Sequence, residues 1–158
     1  MEQMLPFIIG YSLIIFSFTL LIKKNRYQSD RILAVWLIFL STVYISNNLI
    51  WEFCLTLAHP VFVYFYIKSV LKGDRNKIND LAQFLPFLIM FLISIFYPQA
   101  IKAHLLSLYI FVFIYLFTYS AMSIKLIFDY KKEQCKYDNS TDSLLPDLSW
   151  LYILIMGV

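Results

Sequence analysis

The chain has 158 residues, of which 61% are hydrophobic, 19% aromatic and only 15% charged, and 13 Lys and Arg against 10 Asp and Glu leave a formal net charge of +3. With a mean hydropathy of +0.71, this composition excludes a water-soluble domain of such a size and makes lipid the solvent. The positive charge is divided among short stretches between apolar runs rather than gathered in one folded patch, which excludes a nucleic-acid-binding surface on this chain.

Residues 5–22 form an unbroken apolar run of about the length that crosses the hydrocarbon core. Met1 to Met4 carries Glu2 and no basic residue, and no small-residue cleavage site follows the run, so span one is expected to be retained rather than removed as a signal peptide. Span two is predicted over 32–51, closed by Trp51 and Glu52 at a headgroup level. Span three is predicted over 53–70, with Pro60 either kinking it or opening its main helix. Span four, 81–97, is interrupted by Pro86 and stopped by Pro98, and a proline inside a span requires neighbouring helices or water to satisfy the freed carbonyl. Span five is predicted over 105–128 and is followed by a polar loop from 129 to 147. Residues 148–158 are apolar but only about half the length of a crossing, so the chain is expected to be a fragment that ends inside its sixth span. The expected fold is all-α: a polytopic helical membrane bundle forming one domain, with five complete spans and a truncated sixth.

Orientation follows from the basic residues. Lys23, Lys24, Arg26 and Arg31, then Lys68, Lys72, Arg75 and Lys77, then Lys125, Lys131, Lys132 and Lys136 occupy alternate gaps, and of the 13 only Lys102 lies elsewhere. Lys and Arg near span ends stay on the cytoplasmic side during insertion, so the N-terminus is expected outside.

Catalytic chemistry finds little to work with. Gly10, Gly73 and Gly157 are isolated, so no phosphate-cradling loop is encoded. His59 and His104 stand in different segments, and Cys54 and Cys135 have no ligand spacing, so no metal site, cofactor or enzyme is expected. A polar set does fall at the outer half: Asn47, Asn48, Glu52, His59 and His104, with His59 and His104 opening spans three and five. Asn48 and Glu52 share a helical face, and a carboxylate near hydrocarbon faces the bundle or water, so a ligand- or proton-sensing pocket open to the outside is one reading. Headgroup-wetted interfacial residues are the other. Tyr64, Tyr66 and Lys68 form a second set, read either as a site or as an aromatic belt with a snorkelling lysine. Asp30 is expected to cap the start of span two and Arg31 to anchor it.

Three strings in this order, Asp30-Arg31-Ile32-Leu33-Ala34-Val35-Trp36-Leu37, Pro60-Val61-Phe62-Val63-Tyr64-Phe65-Tyr66-Ile67-Lys68-Ser69 and Phe84-Leu85-Pro86-Phe87-Leu88, resemble the N-terminal membrane region of AraC-type transcriptional regulators of Bacteroidetes-like bacteria. The likeness extends over nearly the whole chain, with Leu148-Ser149-Trp150-Leu151 similar to the start of the family's next span. It implies a multi-pass protein of the bacterial cytoplasmic membrane, with Asp30, Arg31, Trp36, Pro60, Tyr64, Tyr66, Lys68 and Pro86 as its motif residues. It implies a sensor or anchor for a cytoplasmic helix-turn-helix domain that this chain does not carry, so no nucleic acid is bound here. An outward N-terminus then requires at least one span beyond the sixth. The implied partners are the bilayer, a small-molecule or envelope signal, and a second copy of the chain as a homodimer. One departure is that Gln83 stands where the family pattern has a histidine. The alternative is a small stand-alone membrane protein such as a transporter or channel subunit, against which stand the few intramembrane charges and the lack of paired broken helices.

Overall fold

A chain in hydrocarbon must satisfy its backbone hydrogen bonds internally, and a helix does so within one segment. The computed structural model describes residues 5–24, 27–46, 49–72, 82–137 and 148–156, and every regular element among them is helical. In chain order these are α1 (Leu5–Ile22), α2 (Gln28–Ser46), α3 (Leu49–Lys72), a 3-10 turn (Ala82–Phe84), α4 (Leu85–Phe96), α5 (Pro98–Ala103), α6 (Leu105–Tyr137) and α7 (Ser149–Met156). Among the described residues, Leu5–Ile22, Gln28–Ile45 and Leu106–Gln134 are long and apolar enough to cross a bilayer, and Ala82–Phe96 is apolar but shorter.

α1 and α2 pack as an antiparallel hairpin. At the turn, the Asp30 carboxylate accepts the backbone N–H of Tyr27 at 3.1 Å and pairs with Lys23 Nζ at 3.2 Å. Asp30 is the third residue of α2, so it reaches back to the residue before the helix as the acidic half of a capping box does. At the other end of the hairpin Gly10 lies against α2, where an added Cβ would meet Ile45 Cγ1 at 2.7 Å and the Ser41 carbonyl oxygen at 3.3 Å. Ser17 and Ser41 are buried and donate to carbonyls of their own helices, Ile14 and Ile38. Ile8, Ile15, Phe16 and Phe18 of α1 are exposed. Small residues inside and large apolar ones outside invert the order of a water-soluble protein. Lipid tails solvate leucine as well as another helix does, so close backbone approach decides what packs.

α3 is the centre of the bundle. Leu57, Ala58, Val61, Phe62, Val63, Phe65 and Ile67 are buried and no residue from 57 to 69 is exposed, so this stretch is covered on every side rather than along one stripe. α2, α4, α6 and α7 all pack on it. Trp150 at the start of α7 lies 6.2 Å from the Tyr66 ring, while Ile155 near its end lines a cleft with Pro60 and Val63. α7 therefore runs antiparallel to α3. It is antiparallel to α6 as well, since Lys131 Nζ sits 5.4 Å from the Tyr152 ring and Ile155 shares that cleft with Tyr119, Ser120 and Ser123. Hence α3 and α6 are parallel.

Several boundaries differ from the sequence reading, each for a local reason. α2 ends at Ser46 and α3 begins at Leu49, so Trp51 and Glu52 belong to the first turn of α3 instead of closing the preceding span. Pro60 lies inside α3 and opens nothing. Pro86 does not interrupt a span: it is the second residue of α4, where the missing N–H would have had no intrahelical partner. Pro98 ends one helix and starts another, α5, which the apolar pattern did not distinguish. Residues 129–137, read as loop, continue α6, because Lys, Glu and Gln are good helix formers that need no burial.

The close approach at Gly10 sets a test. Gly10→Leu is expected to lower stability in bicelles by about 1–3 kcal/mol through overpacking, measured by denaturant titration, with Ile45→Ala in the same chain recovering part of the loss. An unchanged curve would contradict the α1–α2 packing.

Candidate functional site

α3 carries polar side chains inside the bundle, and His59 among them is met by a neighbouring helix. The indole Nε1–H of Trp36 on α2 donates to His59 Nδ1 at 2.9 Å, with the rings edge to face at 4.9 Å between centroids. A Trp indole only donates, so the facing nitrogen must hold a lone pair and the neutral ring carries its proton on Nε2. Phe39, Leu40 and Val43 of α2 with Ala58 and Phe62 of α3 complete a narrow cleft beside the pair.

On the other side of α3 lies an aromatic seam. Tyr64 and Tyr119 stand 6.0 Å apart, Tyr115 and Tyr119 4.7 Å, and Phe84 packs on Phe62 at 4.9 Å and Phe65 at 5.6 Å. The Tyr115 hydroxyl donates to the Gln83 carbonyl oxygen at 3.0 Å, tying the 3-10 turn to the middle of α6. Here the chain uses a side chain to satisfy backbone that a helix would have satisfied itself.

Of the sequence-predicted set, the described side chains are those of His59 and His104, and they have different surroundings. His59 lies ten residues into α3 and turns to Trp36, whereas His104 is exposed on the turn between α5 and α6, where its carbonyl accepts the Leu108 N–H at 3.1 Å. Glu52 is in the first turn of α3, and Asn47 and Asn48 lie outside the described residues. Of the second set, Tyr64 faces Tyr119, Tyr66 faces Trp150, and Lys68 is half-buried. Arg31 is exposed beside the Asp30 cap. The cleft at Trp36 encloses only about 10 Å³ and the one at Pro60, Val63 and Ser123 about 0 Å³, far below the ~300 Å³ at which small-molecule pockets begin. Among the described residues, no three His, Cys, Asp or Glu gather around a possible metal position.

The Trp36–His59 pairing was missed, although a signal existed. Trp36 stands inside a span rather than at its edge, a buried indole N–H needs an acceptor, and His59 is the mid-bundle side chain that can supply one. Comparison with known protein families, with curated proteins and with solved structures finds no match.

A double-mutant cycle tests the pair. Trp36→Phe and His59→Ala are expected to show a coupling energy of about 0.6 kcal/mol, and not above about 1.7 kcal/mol, the range of interhelical hydrogen bonds in a membrane. Strict additivity would mean that the two rings do not interact.

Proposed function

We propose that this chain is the membrane-embedded sensor and anchor region of a one-component transcriptional regulator of the AraC type, a multi-span helical bundle with its basic helix ends in the cytoplasm. The observation that carries this reading is α6. It is one unbroken helix of 33 residues, about 50 Å long at the usual rise, against a hydrocarbon core of about 30 Å. Its apolar part packs on α3 through Tyr115 and Tyr119, and its last turns carry Asp129, Lys131, Lys132 and Glu133 beyond the apolar run. A change of packing in the bundle is thereby coupled to a charged helical end, as a relay to a cytoplasmic domain requires.

The directions of the helices support the topology. Parallel α3 and α6 with antiparallel α7 is the arrangement that spans three, five and six demand, and the antiparallel α1–α2 hairpin has its turn at the first basic cluster. A signal acts in such a bundle only by binding one helix arrangement better than another. The regulator class itself rests on the resemblance of the three motif strings.

Two results decide the reading. A reporter active only outside the cytoplasm is expected to be silent when fused after Arg75 and active when fused after Lys102, and the reverse would overturn the orientation. Reproducible solute flux in liposomes would instead favour a transporter subunit.

A further inference from the structure

The hydrogen bond between α2 and α3 exists in only one protonation state of its acceptor, the His59 ring. We propose that His59 is a proton-binding switch, holding α2 to α3 through Trp36 when neutral and releasing that contact when protonated. The inference is independent of the regulator reading and would hold for any role of the bundle.

The geometry leaves little latitude. Trp36 Nε1 approaches His59 Nδ1 at 2.9 Å, and the indole has a donor and no acceptor. When Nδ1 takes up a proton, a new N–H bond forms and no other covalent bond changes. Two N–H groups then point at each other, so the hydrogen bond is lost and replaced by repulsion. The two rings meet edge to face, with 4.9 Å between centroids.

Among the described residues that line the cleft, none supplies a counter-charge. From α2 the groups at the cleft are Trp36, Phe39, Leu40 and Val43, and from α3 they are Ala58 and Phe62, none of them ionisable. The neighbouring α4 reaches this region through Phe87, which packs on Phe39 at 5.7 Å. Tyr64, Tyr115 and Tyr119 belong to the seam that α3 makes with α6. On α3 itself the nearest acidic position is Glu52, two turns towards the helix start. An imidazolium in an apolar cleft is stabilised by moving to water or towards a carboxylate, and either movement separates the rings. The separation acts at the middle of both helices, where it changes how α2 sits on α3 rather than fraying an end.

The direct readout is the indole ¹⁵N–¹H resonance of Trp36 in the intact chain in nanodiscs, assigned by its loss in Trp36→Phe. With His104→Gln making His59 the sole imidazole, the ring nitrogens of His59 report the same event from the other side. As pH falls from about 8 to about 4, the Trp36 indole proton is expected to move upfield in one sigmoidal step whose midpoint matches that of the His59 ring. His59→Asn places a non-titrating oxygen near the position of Nδ1 and is expected to abolish the step. An indole shift that stays constant while the His59 ring titrates, an imidazole that never titrates in this range, or a step that persists in His59→Asn would each overturn the proposal. The first two outcomes need no variant at position 59 and stand even if that variant fails to fold.

Discussion

The structure depends on keeping α3 out of contact with lipid. This helix carries His59, Tyr64, Tyr66, Lys68 and Ser69 and has Pro60 in its interior, so it is poorly suited to hydrocarbon on any face. α2, α4, α6 and α7 surround it, while α1 is bound through α2 and exposes almost all of its large side chains. Polar groups on and around α3 are answered from neighbouring segments, as with Trp36 to His59 and Tyr115 to the Gln83 carbonyl. Serine and threonine hydroxyls elsewhere bond within their own helices, which removes them from the problem. Ser69 Oγ and Gln83 Oε1 are buried without a partner among the described residues, both near the junction of α3 with the 3-10 turn.

Two kinds of helix contact are used, and they serve different ends. α1 and α2 meet through Gly10, Ser17 and Ser41, where backbones approach closely and few side-chain rearrangements are available. α3 meets the 3-10 turn and α6 through Phe62, Phe65, Phe84, Tyr64, Tyr115 and Tyr119, where broad rings at 4.7 to 6.0 Å fill wider spaces. Ring contacts of this kind have several geometries of similar energy. The first interface suits a fixed hairpin, and the second suits a junction that can be reset.

Much of this was legible before any coordinates. Run lengths and terminal lysines identify α1 and the apolar part of α6, and Asp30 announces itself as a helix-start residue. What local pattern could not show were matters of tertiary context. From Ile32 to Val70 the chain is nearly continuous in its apolar character, so the passage from α2 to α3 had no strong mark and Trp51 with Glu52 drew the boundary too late. Pro86 reads as a helix breaker until Phe84 is known to precede the first helical residue. The expected outer cluster assumed that His59 opens a helix, whereas α3 begins ten residues earlier and carries it into the bundle. The pairing of His59 with Trp36 joins positions 23 residues apart and depends on how two helices cross, which no periodicity encodes.

The central claim is that α3 is shielded while α1 is lipid-facing, and it is measured most directly by spin-label accessibility to a lipid-soluble collider such as oxygen, scanned along both helices in the reconstituted chain. Labels at Leu57, Val61 and Ile67 are expected to show low accessibility on all faces of α3, and labels at Ile8, Ile15 and Ile22 high accessibility on α1. A helical stripe of high oxygen accessibility along the buried positions of α3 would place that helix against lipid and contradict the account.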